Sequence, residues 1–416
     1  MHAKSGGVRA RIVLVLFLPC ACISTFPDAN VDSVLALILL GSGPSFCDTD
    51  PLLLIQPSRW PEVQAVWQTS IDSGTTASAS ATRATLGATM GTGSQHWAGG
   101  VLAPDNRIYA IPDSVANVLV IDPFAGTASN NTFGISLAGA DLFVGGVLAN
   151  NGKIYAGEDQ ASDVLIIDTN NGSATRSTLG AAYGAGVWAG GVYAPDGKIY
   201  QAPLTGPNIV IIDPTTDTAT LSTMGATITQ SYRGGVLGPD GKIYAIPYDA
   251  TDILIIDPVS GTATQSTLGA ALGGAGKWVG GVLGADGKIY GIPANATDIL
   301  IIDPLAGTAT RSAMGAAIPG STNKWNSGVL GPDGKIYAMP DTLNTILIID
   351  PQTGTATTGS LGASLAGSSL WNGGVLGPDG RIYGIPRQAG DMLIIDTHSN
   401  QPVCAGVARL SYWNKY

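Results

Sequence analysis

The chain has little charge, little histidine and little cysteine. Charged residues make up 12% of its 416 residues, and only three histidines and four cysteines occur. The lysines and arginines are scattered, so no basic stripe can follow a nucleic-acid backbone, and nucleic acid is excluded as a partner. No cluster of histidine and cysteine has the spacing of a metal site, and no phosphate-binding loop occurs. We therefore expect no metal ion and no cofactor.

Long hydrophobic runs are also missing, and the apolar stretch near the N-terminus is too short to cross a bilayer. Lys4, Arg9 and Arg11 precede an apolar run over residues 12–23. This order of basic and apolar segments is typical of a secretory signal, which we assign to residues 1–29. A tail over residues 30–74 follows it. We therefore expect a secreted or cell-surface protein without a membrane span once the signal is removed.

Export changes what the remaining cysteines and asparagines indicate. Cys47 and Cys404 lie on opposite sides of the central part of the chain, and in a closed ring they would come together. Either they form a disulfide in an oxidising compartment or they remain two free thiols in the tails. Three Asn-x-Ser/Thr triplets predict glycosylation in a eukaryotic source, although such triplets also arise by chance: Asn130, Asn171 and Asn295.

What the chain has in abundance is repetition. Seven copies follow one pattern with single substitutions: an aromatic residue, a Gly-Gly pair, a Pro-Asp-Gly-Lys-Ile-Tyr turn and an apolar run ending in Asp-Pro. Six of them continue into Gly-Thr-Ala-Thr or a close variant of it. The tyrosines of all seven copies are 44 to 47 residues apart: Tyr109, Tyr155, Tyr200, Tyr244, Tyr290, Tyr337 and Tyr383. A repeat of this length marks a unit that buries its apolar face only by stacking on its neighbours.

One copy predicts four short antiparallel strands. In the fifth copy, Asp286-Gly287 is a tight turn between the first two strands. The run from Ile299 to Ile302 is apolar throughout, which suits a strand covered on both faces. Asp303-Pro304 then turns the chain into a fourth strand that begins near Thr308.

Seven such units predict an all-β fold, a seven-bladed β-propeller of four-stranded antiparallel blades over residues 75–397. Only six fourth strands follow their own blade. The seventh is expected before the array, where residues 82–87 resemble residues 175–180. An N-terminal outer strand would then close the ring and remove its open sheet edge. A C-terminal tail covers residues 398–416, and we expect a monomer.

The Pro-Asp-Gly-Lys-Ile-Tyr turn followed by Asp-Ile-Leu-Ile-Ile-Asp-Pro-x-x-Gly-Thr resembles the repeats of YVTN/NHL-type propellers, including the streptogramin-lyase-like group. The resemblance covers about three-quarters of the chain. It implies the propeller fold and carries little about activity, because propellers host many functions. The lyases of that group rely on histidine, and no repeat here carries a matching internal histidine.

Length variation between copies predicts where a ligand would bind. It falls between the fourth strand of one blade and the first strand of the next. This variable face, which also holds the second-to-third loops, is opposite a plain face of tight turns. Four residues on it depart from the repeat and would bring opposite charges together: Glu158, Asp159, Arg233 and Arg387. Ordinary drift in solvated loops explains the same departures.

Two rings of repeated side chains allow a functional and a structural interpretation. The aromatic ring includes Trp97, Trp188, Trp325 and Trp371, which could stack flat ligands or wedge between blades. Structure is the favoured role, because every repeat has one. Short polar residues also open the third strand of each blade. They could hold calcium or cap loop amides, and the second reading is favoured.

These features favour a secreted or cell-surface propeller that binds a protein or small ligand through its variable face, without catalysis. The alternative is an enzyme of lyase or hydrolase type at the channel mouth, using His96 with Glu158, Asp159 or Arg233. A third reading is a purely architectural repeat protein. We expect no catalytic residues, because His96 has no evident nucleophile or acid partner in the sequence.

Overall fold

A computed structural model describes residues 56–61, 63–64, 78–91, 95–137, 143–158, 162–183, 187–367 and 369–397. Apart from a 3₁₀ turn at Pro57–Arg59 and the residues just after it, the regular structure in this part of the chain is β-strand. No helix among these residues is long and apolar enough to span a membrane.

The strands form seven blades, as predicted. They are β1 (Ser80–Ala84); in blade one β2 (Trp97–Leu102), β3 (Ile108–Pro112), β4 (Val118–Asp122) and β5 (Thr127–Asn131); in blade two β6 (Phe143–Leu148), β7 (Lys153–Glu158), β8 (Val164–Asp168) and β9 (Ser173–Ser177); in blade three β10 (Val187–Trp188), β11 (Val192–Tyr193), β12 (Ile199–Gln201), β13 (Pro203–Thr205), β14 (Ile209–Asp213) and β15 (Thr218–Ser222); in blade four β16 (Tyr232–Leu237), β17 (Ile243–Pro247), β18 (Ile253–Asp257) and β19 (Thr262–Ser266); in blade five β20 (Trp278–Leu283), β21 (Ile289–Pro293), β22 (Ile299–Asp303) and β23 (Thr308–Ser312); in blade six β24 (Trp325–Leu330), β25 (Ile336–Pro340), β26 (Ile346–Asp350) and β27 (Thr355–Gly359); and in blade seven β28 (Trp371–Leu376), β29 (Arg381–Pro386) and β30 (Met392–Asp396).

Each blade is an antiparallel meander whose first strand is innermost, because first strands of neighbouring blades contact one another around the ring. Blade three departs from the pattern, since its two inner strands are each split in two. The short pairs β10–β13 and β11–β12 replace one continuous pair.

The fourth strand of blade seven comes from the N-terminal side of the array. Strand β1 pairs antiparallel with β30, with Ser80 opposite Asp396 and Ala84 opposite Met392. Arg83 of β1 also forms an ion pair with Asp391 at 2.8 Å. Blade seven is therefore assembled from both ends of the repeat array.

A backbone hydrogen bond joins each outer strand to the preceding blade. An alanine N–H in the fourth strand donates to the carbonyl of a turn residue with positive φ, as Ala309 does to Leu268 at 2.7 Å. The closing strand follows the same rule, with Ala81 donating to Leu361 at 2.8 Å. The remaining pairs are Ala128–Leu86, Ala174–Phe133, Ala219–Leu179, Ala263–Met224 and Ala356–Met314.

The two glycines of the inner strand have different roles. The first lies at a β-bulge and has positive φ, for example 72° at Gly99, a conformation that glycine adopts without strain. The second allows close packing, since a Cβ at Gly100 would lie 3.0 Å from Ile385 Cδ1 of the adjacent blade. The Gly-Gly pair thus shapes the inner strand and seals the blade interface.

The tight turns of the plain face are held by a tyrosine–aspartate hydrogen bond. In blade six, Tyr337 donates to Asp333 Oδ2 at 2.7 Å, while Asp333 Oδ1 accepts from the backbone N–H of Lys335. Five other blades repeat the Tyr–Asp bond. In blade two, where Asn151 replaces the aspartate, Tyr155 donates to Asp217 of the next blade. Burial raises the pKa of each of these tyrosines.

Candidate functional site

Two positions in every blade surround the inner end of the variable face. One is the residue after the aromatic in the first strand, and the other follows the proline near the end of the second strand, whose place Glu158 takes in blade two. In blades one to five, five of these side chains form one buried apolar cluster, against which Leu204 and Tyr248 pack: Ala98, Val144, Ala189, Val279 and Ala294. We call this cluster the apolar half of the mouth. Because it spans several blades, the two positions enclose a shared centre.

Polar residues occupy the same two positions elsewhere in the ring. Arg233, Asn326 and Asn372 replace the small apolar residue of the first strand in blades four, six and seven. After the proline stand Asp113, Asp341 and Arg387 in blades one, six and seven. We call these six residues the polar mouth. They carry two positive and two negative charges, which cancel.

Arg387 connects blade seven to blade one. Its Nε lies 3.8 Å from Asp113 Oδ2, and its Nη2 donates to the side-chain oxygen of Gln95. Asp113 is 1% exposed, so its charge is balanced inside the protein rather than by water. Arg387 thus meets an acid at the mouth, but that acid is Asp113, whereas the sequence suggests Glu158 and Asp159.

The positive charges of Arg233 and Arg387 both act on the Asp341 carboxylate. Burial raises the pKa of this carboxyl, while the positive charges of Arg387 and Arg233 and hydrogen bonds from Ser369 oppose that rise. Arg233 belongs to blade four and Asp341 to blade six, so this electrostatic interaction acts between blades that are not neighbours. The Arg233 guanidinium also lies over the Tyr248 ring at 5.6 Å. Arg233 and Arg387, both singled out by the sequence, therefore act on one carboxylate.

Three buried oxygens of the polar mouth have no hydrogen-bond partner among the described residues. They are Asn326 Oδ1, Asn372 Oδ1 and Asp341 Oδ1, on side chains that are 4%, 1% and 7% exposed. Buried polar atoms in folded proteins are nearly always paired, and each exception asks for an explanation. All three are acceptors, and one donor of the polar mouth, Arg387 Nε, also has no hydrogen-bond partner among the described residues.

His96 occupies a structural position. Its Nδ1 lies 2.9 Å from the Arg387 carbonyl oxygen, and its backbone N–H donates to the same oxygen at 2.7 Å. Its ring stacks on Trp97, and a Cβ at Gly91 would lie 2.4 Å from its Nε2. The ring is 4% exposed and is enclosed on both sides.

Lys277 and Lys324 hold the same place in blades five and six, directly before the tryptophan. Lys277 Nζ donates to the carbonyls of Tyr248, Ala250 and Gly274, and Lys324 Nζ donates to those of Ala294 and Ser321. Burial lowers the pKa of both lysines to about 8. Like His96, both lysines bond to the second-to-third loop of the preceding blade.

The tryptophans proposed as ligand-stacking residues lie inside the ring. Trp97, Trp188, Trp325 and Trp371 are 0–1% exposed. Their indole N–H groups donate to a backbone carbonyl 20 residues further along, at 2.6–3.0 Å. Burial of this extent leaves no face for a ligand and favours the packing role.

The polar ring that opens the third strands forms ion pairs toward the outer strands. Asp163 pairs with Arg176 at 2.9 Å, and Asp298 pairs with Arg311 at 2.8 Å. Arg83 of the closing strand pairs with Asp391 in the same way. These three arginines also stack on the aromatic residue of their own blade, at 5.1–5.4 Å. A carboxylate engaged by a guanidinium is a poor calcium ligand, and the pairs brace each blade.

The structure describes some of the remaining residues that were predicted for binding, disulfide formation or glycosylation, and leaves others outside the described residues. Glu158 ends strand β7, and its side chain and Asp159 lie outside the described residues, as do Cys47, Cys404 and the signal segment. Asn130 and Asn171 have exposed side chains that bond to Thr89 and Asp168. Asn295 is half-buried, and its Oδ1 accepts a hydrogen bond from the Asn323 N–H.

Sequence reasoning missed Asp113, Asp341, Asn326 and Asn372. Aligning the copies by the residue after the second-strand proline would have placed Asp113 and Asp341 with Arg387. The asparagines follow the aromatic residue, at the position where Arg233 was noticed. These residues could therefore have been found by comparing equivalent positions of the seven copies, although no local motif marks them.

Comparison with solved structures supports the fold. A streptogramin B lyase aligns with a TM-score of 0.62 and 15% identity, covering 76% of this chain and 98% of that one. The virginiamycin B lyase of Staphylococcus aureus aligns with a TM-score of 0.61 and 15% identity, over 76% and 99% of the two chains. An extracellular domain of a putative hybrid two-component system from B. thetaiotaomicron gives 0.52 and 11%, covering 78% of this chain and 42% of that one.

No protein-family model matches the chain, and no curated protein matches it either. At these identities the structural likeness establishes the fold alone. The resemblance to YVTN/NHL-type and streptogramin-lyase-like propellers is thus confirmed at the level of architecture.

Proposed function

We propose that this protein is a secreted or cell-surface propeller that acts as a monomer and binds a ligand at the polar mouth, without catalysis. The observation that carries the proposal is the group of three buried, partnerless oxygens beside four cancelling charges. Such a group costs stability in the free protein. A bound molecule that supplies donors would offset that cost.

The position of the group within the repeat supports the same proposal. Blades one to five carry mostly small apolar residues at the position after the aromatic, so that position does not need a polar side chain for folding. The polar residues at this position in blades four, six and seven depart from the repeat, and they replace no hydrogen bond that the apolar residues of the other blades make there. Export accords with the likeness to extracellular propeller domains.

The enzyme alternative depends on His96. A histidine-to-alanine variant of the virginiamycin B lyase is described as catalytically inactive, and that protein shares the fold. Among the described residues of this chain His96 is the single histidine, and its Nδ1 is already bonded to the Arg387 carbonyl. Because Lys277 and Lys324 stand in its place elsewhere, we assign His96 to joining blades.

Two double variants with the same chemistry test the binding proposal. Asp341→Asn with Arg387→Gln removes charges of the polar mouth, whereas Asp163→Asn with Arg176→Gln removes an outer ion pair. In a screen of glycans and metabolites by thermal shift, we expect the wild type and the outer variant to respond to the same ligand. The mouth variant should lose at least about tenfold in affinity. Equal affinity of all three proteins would refute the site.

The variant His96→Lys separates binding from catalysis. It should fold, because lysine holds this position in blades five and six. We expect ligand binding to persist. If the wild type turns over any ligand of the screen and folded His96→Lys does not, the enzyme alternative replaces the binding proposal.

A further inference from the structure

The partnerless oxygens of the polar mouth determine which hydrogen-bonding groups a ligand must carry. Asn326 and Asn372 occupy equivalent positions in neighbouring blades six and seven. Asp341 belongs to blade six, and its carboxylate accepts hydrogen bonds from Ser369, three residues before Asn372. The three partnerless oxygens therefore belong to one junction between two blades. Three acceptors, one of them a carboxylate oxygen, match the three N–H donors of a primary ammonium group.

The charges around this junction argue against a ligand with a single charge. A lone cation would meet Arg387 and Arg233, and a lone anion would meet Asp113 and Asp341. A molecule with one charge of each sign can direct its cation to Asp341 and its anion to a guanidinium. Arg233 is partly exposed and its guanidinium lies over the ring of Tyr248, which packs against the apolar half of the mouth, so it is suited to a carboxylate.

The rest of the mouth is apolar. Ala98, Val144, Ala189 and Val279 are small or medium-sized side chains, and the ring of Tyr248 lies beside them. A ligand bound through its charged groups would present its remaining part to this surface, where a polar side chain would lose hydration without gaining a partner.

We infer, on the basis of the binding function proposed above, that the ligand is a free α-amino acid with an apolar side chain. Its ammonium group would donate to Asn326, Asn372 and Asp341, its carboxylate would pair with Arg233, and its side chain would contact the apolar half of the mouth.

Calorimetric titration of the full chain with L-leucine tests this inference. Two analogues remove one charge each: 3-methylbutylamine has no carboxylate, and 4-methylpentanoate has no ammonium. We expect wild-type protein to bind leucine and to bind each analogue at least about tenfold more weakly. Arg233→Gln should bind leucine and the amine with similar affinity, because it removes the partner of the carboxylate only.

Replacing the asparagines separates binding from folding. Asn326→Leu with Asn372→Leu exchanges two side chains that each hold a partnerless buried oxygen for apolar ones of similar size, so the melting temperature of the free protein should stay or rise. Leucine binding should be lost. The outer variant Asp163→Asn with Arg176→Gln should bind leucine like the wild type.

Several outcomes would overturn the inference. One is the absence of binding for every apolar amino acid at millimolar concentration. Another is leucine binding that the Asn326→Leu, Asn372→Leu variant retains. If a ligand of another class, such as a neutral saccharide, binds and depends on Asp341 and Arg387, the amino acid is wrong while the binding function stands.

Discussion

A chain that begins at Gly87 is expected to lose the closed ring, whereas a chain that begins at Ser78 keeps it. The longer chain retains β1 and its pairing with β30. The shorter chain leaves the outer edge of β30 unpaired, although β30 still pairs with β29, and uncovers the buried residues Leu393 and Ile395. It also loses the ion pair from Arg83 to Asp391 and the stacking of Arg83 on Trp371. An open edge of this kind promotes aggregation.

Moving the strand provides the matched control. Residues 80–86 can follow Asp396 through a four-residue turn copied from residues 304–307, which joins the third and fourth strands of blade five. This permutant restores the blade with ordinary connectivity. We expect cooperative thermal unfolding by circular dichroism for the Ser78 chain and the permutant, and loss of the transition for the Gly87 chain. A Gly87 chain as stable as the Ser78 chain would contradict the role of β1.

Above pH 10 the protein is expected to unfold steeply. Burial raises the pKa of eight tyrosines, each of which donates its hydroxyl to an aspartate: Tyr109, Tyr155, Tyr200, Tyr232, Tyr244, Tyr290, Tyr337 and Tyr383. Because the folded-state pKa lies above the unfolded value of about 10, these tyrosines stabilise the native state fully below pH 10. This stabilisation is lost as the pH rises above that value. Above pH 10, each tyrosine lowers the free energy of unfolding by about 1.4 kcal/mol per pH unit.

Eight tyrosines together cost about 11 kcal/mol per pH unit, which is comparable to the whole stability of a typical domain. Lys277 and Lys324 act in the opposite direction between pH 8 and about 10, because their folded pKa lies below the ordinary value. Stability should therefore hold or rise slightly up to pH 10 and then fall sharply.

Phenolate absorbance and circular dichroism, followed together against pH, check this profile. We expect most phenolate to appear in one step that coincides with the loss of β-structure near pH 11. The variant Tyr337→Phe should make that step less steep, because one fewer proton is released. Gradual ionisation near pH 10 with the fold intact would show that the tyrosine–aspartate bonds do not hold the turns.

The blades were predictable because each copy carries its own turn chemistry. Asp333 and Tyr337 are four residues apart, and their bond closes the turn without help from distant residues. The closing strand was predictable because residues 82–87 repeat a pattern in which Arg83 stands where Arg176 stands in blade two. The split inner strands of blade three were not anticipated, because their spacing matches that of the other copies.

The candidate site was predicted only in part. Arg233 and Arg387 departed visibly from the repeat, but Asp113 and Asp341 follow a proline, where aspartate is an ordinary turn residue. Asn326 and Asn372 matter because their side-chain oxygens have no hydrogen-bond partner among the described residues, and the sequence alone cannot reveal that. His96 drew a catalytic interpretation because of its residue type, whereas its contacts are those of Lys277 and Lys324.

The most direct test of the account is a crystal structure of the full chain with the ligand found by the screen. We predict that the ligand contacts Asn326, Asn372 and Asp341 at the polar mouth. A ligand bound instead in the outer groove of blade two, which is lined by Lys153, Asp168 and Asp217, would contradict the proposed site.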